Sequence, residues 1–219
     1  MDWMREIDGY CERLGPDYWA EPINAVTNLF FIISALIMWR RVPADAGLAR
    51  ALVLILAAIG VGSYLFHTHA QVWAAIADTT PILLFILVYI FAAHRDIWGL
   101  RPLPALGATA LFFPYAAVMV PLFGLIPGLG GSAGYAPVPL LIALHAVALR
   151  RREPEVARGF AIGAGVLTVS ILFRTLDEPL CGIVPMGTHF MWHFLNAVML
   201  GWMIEVYRRH LLQGGYKTG

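Results

Sequence analysis

Charged residues are scarce in this sequence: Asp, Glu, Lys and Arg make up 13% of the 219 residues, about half the share of a typical soluble domain. The net charge at pH 7 is only +1, so no basic excess favours nucleic acid as a partner. There are two cysteines, Cys11 and Cys181, and no CxxC pair, which excludes a zinc ribbon. The chain does not open with a basic stretch followed by an apolar one, so a cleaved signal peptide is not predicted.

The apolar residues, 59% of the chain, are gathered into seven blocks separated by short polar or Gly/Pro-rich breaks. The blocks cover about residues 23–39, 51–66, 74–93, 103–123, 135–149, 160–173 and 188–207. Such runs are typical of helices that cross a membrane. The sequence therefore predicts an all-α protein, a bundle of seven transmembrane helices forming one domain over residues 1–219. A polar segment, 1–22, would precede the bundle at 23–208, and a tail, 209–219, would follow it.

Basic residues orient the bundle, because the cytoplasmic loops of membrane proteins carry most of the Lys and Arg. With the N-terminus outside and the C-terminus in the cytoplasm, three basic residues face outward: Arg5, Arg13 and Arg174. The other twelve face inward: Arg40, Arg41, Arg50, Arg95, Arg101, Arg150, Arg151, Arg152, Arg158, Arg208, Arg209 and Lys217. In this topology the end of the second helix and the starts of the third and seventh lie at the outer face.

Two pairs of polar residues at helical spacing fall at that outer face. Ser63 and His67 end the second block, and His189 and His193 open the seventh. Residues four apart share one side of a helix, so the members of each pair point the same way. Asp78 lies near the start of the third helix. Because ionisable residues at membrane depth usually face a bundle interior or a wet cavity, we expect these five residues to meet.

Three imidazoles from two helices predict a zinc site, since Zn²⁺ favours tetrahedral sites with nitrogen ligands. His67, His189 and His193 would be the ligands, and water would take the fourth position. Bound zinc lowers the pKa of that water to about 7, which makes it a nucleophile at neutral pH. Asp78 would take the water's proton and pass it to a leaving amine. Ser63 would donate a hydrogen bond to the developing oxyanion.

Each of these residues also has a simpler interpretation. Two histidines four apart in a membrane helix also suit haem binding or hydrogen bonding between helices. A membrane serine such as Ser63 is most often a packing residue, and Asp78 could cap a helix or interact with its dipole. The predicted convergence of all five residues at one face is what favours a hydrolytic site over a membrane cytochrome.

The site residues lie in three motifs: Gly62-Ser-Tyr-Leu-Phe-His67, Asp78-Thr-Thr-Pro81 and His189-Phe-Met-Trp-His193. Three further segments accompany them: Tyr10-Cys-Glu12, Ala20 to Asn28, and Asp177 to Cys181. As a set, these motifs resemble the alkaline ceramidases, which belong to a superfamily of seven-helix zinc hydrolases that also contains the adiponectin receptors. The resemblance extends over residues 8–193, nearly the whole chain.

The resemblance implies an enzyme that cuts the amide of ceramide into a sphingoid base and a fatty acid. It implies zinc held by His67, His189 and His193, with Asp78 as the acid/base and Ser63 as the partner of the transition state. Hydrolysis of another lipid amide is an alternative, and so is a receptor or sensor that binds lipid without turnover. A hydrolase needs Ser63 and Asp78, whereas a receptor does not. Membrane lipids are the other expected partners, and no nucleic acid or obligate protein partner is implied.

The resemblance also implies a calcium ion beside the zinc site, in the acidic N-terminal segment. Oxygen ligands at close spacing suit Ca²⁺, and the candidate residues are Asp8, Tyr10 through its backbone, Glu12, Asp17 and Glu21. The segment departs from the family pattern, because Gly9 stands where an aspartate is expected and Leu14 where an asparagine is expected. A solvated acidic loop is the alternative.

Both cysteines fall on the outward side of the predicted topology, where an oxidising compartment lets disulfides persist. The resemblance pairs Cys11 with Cys181, so we expect a disulfide between the N-terminal segment and the connection that leads into the seventh helix. The short chain and the lack of an organelle sorting signal predict a bacterial inner membrane, with the site near its outer face.

Overall fold

A computed structural model describes residues 2–7 and 9–214, and this part of the chain is helical. Within these ranges nine α-helices follow one another: α1 (Pro22–Thr27), α2 (Leu29–Arg41), α3 (Gly47–His69), α4 (Val72–Ala92), α5 (Pro102–Ala110), α6 (Phe112–Gly124), α7 (Pro137–Leu149), α8 (Pro154–Thr175) and α9 (His189–Gln213). A π-helical turn, Ala93–Ile97, extends α4, and 3-10 turns lie at Gly130–Gly134 and Glu178–Leu180. The described residues form no β-strand, and their one isolated β-bridge joins Glu6 to Gln71.

Six segments of the described chain are long and apolar enough to cross a membrane. They are Pro22–Arg41, Gly47–His69, Val72–Ile97, Pro102–Gly124, Gly130–Leu149 and Pro154–Thr175. Large apolar side chains such as Leu36, Phe113 and Leu172 remain more than half exposed on these segments, as a surface in contact with lipid requires. The six segments correspond to the first six predicted helices and fit an integral membrane protein.

The seventh predicted helix, α9, is 25 residues long but is more polar than these six segments. It packs against α2, α3 and α8, so that protein rather than lipid surrounds much of its surface. Glu205 of α9 is 6% exposed and binds Arg41 of α2 at 2.8 Å, together with Arg208 and Arg209 one turn further on. The charged residues near the end of α9 are therefore paired with one another and with α2.

The fourth span is divided into α5 and α6 at Leu111. The sequence predicts a kink here, because Pro114 lies inside the fourth apolar block. Pro114 has no N–H to donate to the carbonyl of Ala110, four residues earlier, and its ring crowds that carbonyl. Since α5 ends at Ala110 and α6 begins at Phe112, the helix is interrupted where this argument places the break.

Several helix boundaries differ from the sequence prediction, and three of them have a local cause or consequence. The first span is interrupted at Asn28, whose side-chain amide donates to the carbonyl of Asn24 at 2.8 Å. Helix α8, which corresponds to the sixth predicted block, begins at Pro154, earlier than predicted, because proline is well suited to the first turn of a helix. The last helix continues to Gln213 and so takes in the first residues of the predicted tail. Residues 215–219 lie outside the described ranges.

The bundle has two ends of different character. The histidine end comprises residues 9–21, the end of α3 and the starts of α4 and α9. The arginine end comprises the end of α2, the end of α9 and the connection between α7 and α8, where Arg150, Arg151 and Arg152 lie. Only Ala70 and Gln71 separate α3 from α4, so these two helices run antiparallel and meet at the histidine end.

Gly62 allows α3 and α4 to approach closely near this end. A Cβ at Gly62 would overlap with the carbonyl oxygen of Ala77 and would lie 3.1 Å from the Cα of Asp78. Small residues of this kind let membrane helices pack backbone against backbone. The glycine therefore brings Ser63, its neighbour on α3, next to Asp78 on α4.

Substituting Gly62→Ala should lower the melting temperature of the purified protein in detergent. The added methyl group forces α3 away from α4, and overpacking of this type typically costs about 1–3 kcal/mol. Gly165→Ala in α8 is the matched control, because a Cβ there meets nothing within 4 Å. If the two variants melt at the same temperature, the close approach of α3 and α4 is not present in the protein.

Candidate metal and catalytic site

Three histidines form a buried cluster at the histidine end. His67 lies in the last turn of α3, and His189 and His193 lie in the first two turns of α9. None is more than 2% exposed, and one ring nitrogen of each lies within 4.8 Å of the corresponding nitrogens of the other two. Among the described residues, this is the only group of three or more His, Cys, Asp or Glu side chains that could hold a metal ion.

Neighbouring oxygen atoms fix the tautomers of two of these rings. The Nδ1 of His67 lies 2.6 Å from the Glu21 carboxylate, which can only accept, so this nitrogen donates. The Nδ1 of His193 lies 2.9 Å from the hydroxyl of Thr27, which itself donates to the carbonyl of Ile23 at 2.8 Å. His193 is therefore the donor to Thr27. Both rings keep the lone pair on Nε2, as a metal ligand requires.

Glu21 remains a charged acceptor although it is buried. Burial alone raises the pKa of a carboxyl group, but the ring of His67 and the guanidinium of Arg13 outweigh this effect and hold the pKa of Glu21 below its usual value. Arg13 donates to the second carboxylate oxygen through its Nε at 2.5 Å. A charged carboxylate of this kind orients a ligating imidazole and makes it more basic.

Two nitrogens of the cluster have no partner. His193 Nε2 and His189 Nδ1 are buried without a hydrogen bond. Buried polar atoms almost always have a partner, and leaving one unsatisfied costs about 1–3 kcal/mol. Three imidazoles whose nitrogens converge, some of them unsatisfied, form a donor set that a metal ion completes. The residues of the cluster therefore fit a metal ion.

The structure brings Ser63 and Asp78 together beside the cluster. Ser63 is 4% exposed and lies one turn before His67 on α3. Asp78 lies in the second turn of α4, and it lines the same cavity as Ser63. Its Oδ1 is buried and has no hydrogen bond. An unpaired carboxylate oxygen next to a candidate metal site is well placed to take up a proton.

An elongated apolar cavity runs from Ser63 and Asp78 into the bundle. On α4 it follows one face of the helix, lined by Asp78, Ile82, Phe85, Ile86, Tyr89 and Ile90. At 1.5 Å per residue this face is about 18 Å long. Side chains of α7, α8 and α9 complete the wall, and His145 lines it near the arginine end.

The cavity ends at side chains that neighbour the histidine cluster. Phe31 and Trp192 line it, and their rings lie 6.3 and 6.4 Å from the rings of His193 and His189, centroid to centroid. A polar end with a candidate metal site and a long apolar body is the arrangement that an amphipathic ligand needs.

Residues 9–21, which we call the N-terminal clasp, cover the cluster. The ring of Tyr10 stacks on that of His189 with 3.8 Å between centroids. Cys11 forms a disulfide with Cys181, as predicted, with 5.3 Å between their Cα atoms. Glu12 accepts from two backbone N–H groups in the first turn of α1, at 2.7 and 2.8 Å, and so caps that helix from a distance in sequence. Consecutive clasp residues thus bind the elements that carry or support the histidines.

Asp177 fixes the start of α9 from outside the helix. Its Oδ1 accepts the backbone N–H groups of Thr188 and His189 at 2.6 and 2.8 Å, and its Oδ2 accepts the N–H of Cys11 at 2.9 Å. Gly187 has a φ of 68°, and a Cβ there would overlap with the Asp177 carboxylate. The glycine is needed for this close contact, which sets the position of His189.

The described residues do not support the predicted calcium site. Asp8 lies outside them, and Asp17 is exposed. Both oxygens of Glu12 accept from the start of α1, and those of Glu21 are engaged by a guanidinium and an imidazole. The carbonyl of Tyr10 accepts a backbone N–H at 3.1 Å. The resemblance assigned these oxygens to calcium, but they already serve in helix capping and charge pairing.

Breaking the disulfide should lower the melting temperature while leaving the metal content unchanged. The bridge joins residues 170 positions apart, and a loop of that length corresponds to roughly 5 kcal/mol in the chain-entropy model. The membrane already restricts the unfolded chain, so the measured effect of Cys11→Ser should be smaller.

Cys181→Ser and the double variant test this explanation. Like Cys11→Ser, each removes the same bond, so all three variants should have the same melting temperature. Mass spectrometry of unreduced protein from its native membrane decides whether the bond forms. Full alkylation of both thiols without reductant would contradict it.

The sequence predicted no role in the site for three residues that shape it: Arg13, Thr27 and Asp177. Thr27 and Asp177 lie in segments that carry the family resemblance, so that resemblance could have drawn attention to them. Arg13 gave no such signal, because an arginine in an acidic segment usually indicates a solvated surface.

Fold and site together define a class of protein: a helical membrane protein with a buried three-histidine cluster that fits a metal ion. The family model described as Ceramidase matches residues 9–214. The chain therefore belongs to the ceramidase family, and the resemblance to the alkaline ceramidases is confirmed. No curated protein matches the chain.

Proposed function

We propose that this protein is a zinc-dependent membrane amidase that hydrolyses ceramide to a sphingoid base and a fatty acid. The observation that carries the proposal is the continuity of the site. An apolar cavity begins at Ser63 and Asp78, and two of its lining rings, Phe31 and Trp192, lie 6.3 and 6.4 Å from the rings of His193 and His189. Membership of the ceramidase family supports the choice of substrate.

His67, His189 and His193 would hold the zinc. Three neutral imidazoles suit Zn²⁺, and catalytic zinc sites commonly use three protein ligands with one open position. When bound, zinc supplies a nucleophilic water at neutral pH and polarises the substrate carbonyl. Glu21 and Thr27 keep the protons of two rings on Nδ1, so that Nε2 stays free for the metal.

Asp78 and Ser63 would carry the proton transfer and the charge stabilisation. The free Oδ1 of Asp78 accepts a proton from the attacking water and returns it to the nitrogen of the leaving sphingoid base. The hydroxyl of Ser63 donates a hydrogen bond to the amide oxygen as negative charge develops on it. The contact of α3 with α4 at Gly62 keeps the two side chains in register.

The cavity would bind one hydrocarbon chain of the substrate. Its face on α4 is about 18 Å long, which accommodates most of a long acyl chain. The apolar side chains Ile82, Phe85 and Met199 line it. The hydrocarbon chain of the substrate therefore leaves the apolar interior of the membrane for an equally apolar cavity. The amide is thereby presented to Ser63 and Asp78 at the end of the cavity, where water is needed.

A panel of purified lipid amides tests the substrate class. Ceramide, an N-acyl amino acid and an N-acyl ethanolamine are each incubated with the protein in detergent, and released fatty acid and amine are measured by mass spectrometry. The proposal expects equal amounts of fatty acid and sphingoid base from ceramide. Faster cleavage of another amide would identify a different lipid amidase. Tight binding of ceramide without turnover would indicate a receptor.

The site should lie at the extracytoplasmic face, with the N-terminus on that side of the membrane and the C-terminus in the cytoplasm. The orientation rests on the basic residues, since Arg5, Arg13 and Arg174 are at the histidine end and the other arginines of the described residues are at the opposite end. A fluorescent protein fused after residue 219 should be active in the cytoplasm, and alkaline phosphatase fused there should be inactive. The same two reporters fused at the N-terminus are the matched control and should give the reverse. Phosphatase activity from the C-terminal fusion would contradict the topology.

A further inference from the structure

Arg13 is the one arginine of the N-terminal clasp, and it is buried. It is 8% exposed although it lies in a polar segment outside the helices. Burying a guanidinium is costly unless its charge is paired and its N–H groups are satisfied. The contacts of Arg13 must therefore offset the cost of its burial.

Its side chain donates three hydrogen bonds, two within the clasp and one to α3. Nε donates to Glu21 Oε1 at 2.5 Å, Nη1 to the carbonyl of Gly15 at 3.0 Å, and Nη2 to the carbonyl of His67 at 3.0 Å. The His67 carbonyl is in the last turn of α3, where helix carbonyls lack intrahelical partners and a positive charge is favourable. Arg13 thus closes the clasp loop, caps α3 and neutralises Glu21.

His67 is consequently held at two points by one ion pair. Glu21 binds its ring at Nδ1, and Arg13, the partner of Glu21, binds its backbone carbonyl. The side chains of Arg13 and Glu21 are only 5% and 2% exposed, so water screens the pair little. Among the described residues, the rings of the other two histidines, on α9, have no charged hydrogen-bond partner, and Asp177 binds only the backbone of His189.

We propose that Arg13 is the positioning residue of the metal site, a built-in cation that fixes Glu21 and through it the ring of His67, so that no divalent cation is needed in the clasp. The guanidinium supplies the positive charge among the oxygens that the calcium site would use. Its planar fork also gives three directed donors, which a spherical ion does not. The inference rests on the proposed metal site and assigns a role within it.

Zinc affinity without substrate is the first test. Wild type, Arg13→Met, Arg13→Lys and Arg5→Met are compared by competition with a fluorescent zinc chelator. Arg5 is the matched control, because it lies in the same N-terminal region but is exposed. Loss of a residue that supports a metal ligand typically weakens affinity by about 10–100-fold. We expect this loss for Arg13→Met, a smaller one for Arg13→Lys, which keeps the charge, and none for Arg5→Met.

The double variant Arg13→Met/Glu21→Gln tests whether Arg13 acts through Glu21. Residues in one network give non-additive effects, so the double variant should retain zinc better than the product of the two single losses predicts. Additive losses would contradict a route through Glu21. Wild-type affinity in Arg13→Met, or equal affinities of Arg13→Met and Arg13→Lys, would overturn the positioning role.

Calcium provides a second test. Elemental analysis of the purified protein should find no calcium, and millimolar calcium chloride should change neither the melting temperature nor the zinc affinity. Stoichiometric calcium whose removal weakens zinc binding would overturn the inference.

A third measurement separates this inference from the proposed function. Nitrogen-15 NMR of the metal-free protein reports the His67 tautomer, which should be held with the proton on Nδ1 in wild type and in Arg5→Met. It should become a mixture in Arg13→Met. A protein that hydrolyses no ceramide, or binds no zinc, would refute the proposed function and would still give this result if Arg13 orients His67. An unchanged tautomer in Arg13→Met would refute the inference alone.

Discussion

Replacing His193 with alanine should abolish metal binding and lipid amide hydrolysis together. The ring is fully buried in the cluster, its Nδ1 is held by Thr27, and its Nε2 has no partner. Removing one of three protein ligands leaves two, too few for a zinc site of this type. Zinc content is measured by elemental analysis after dialysis, and fatty acid release is measured on the same samples. His67→Ala and His189→Ala should behave in the same way.

His69→Ala is the control for these substitutions. It removes a histidine two residues from His67 on the same helix, but His69 is exposed and outside the cluster. Its zinc content and activity should equal those of wild type. If any of the three cluster variants keeps one zinc per chain and full activity, that histidine is not a ligand.

Substituting Asp78→Asn should slow hydrolysis by about 10²–10⁴-fold, the usual contribution of a general acid/base. Asparagine preserves the shape of the side chain but cannot accept a proton at Oδ1. Asp78 is outside the histidine cluster, so zinc content should not change. Steady-state rates at saturating ceramide measure the loss, which should appear in kcat.

Asp17→Asn provides the comparison for Asp78→Asn, since Asp17 is an exposed aspartate of the clasp. It should keep the wild-type rate. Asp78→Asn with wild-type turnover would mean that Asp78 serves only to support the start of α4. Loss of zinc along with activity would mean that it acts on the metal site instead of on the substrate.

The helices and the histidine cluster could be predicted from the sequence because both depend on local spacing. Each apolar block predicted a helix, and the four-residue spacing of His189 and His193 placed both rings on one side of α9. The meeting with His67 followed from the alternation of helix direction. Pro114 gave the break in the fourth span for an equally local reason, the missing N–H.

The contacts that hold the histidines could not be predicted from the sequence, because they join residues far apart in it. Asp177 caps α9 across a loop, and Glu12 caps α1, whereas sequence rules look for caps within a helix's own first residues. Acidic residues of the clasp therefore suggested an ion site or a solvated loop. The burial of Arg13 and its pairing with Glu21 depend on how the clasp folds over α3, which no local pattern encodes.

Titration of zinc into metal-free protein, with ceramide hydrolysis followed at each point, tests the central claim most directly. The protein is stripped with a chelator, and bound zinc and released fatty acid are measured together. The proposed site predicts no hydrolysis without metal, a rate that rises in proportion to bound zinc, and a plateau at one zinc per chain. Hydrolysis by the stripped protein, or zinc bound at one per chain without any turnover of ceramide or another lipid amide, would contradict the account.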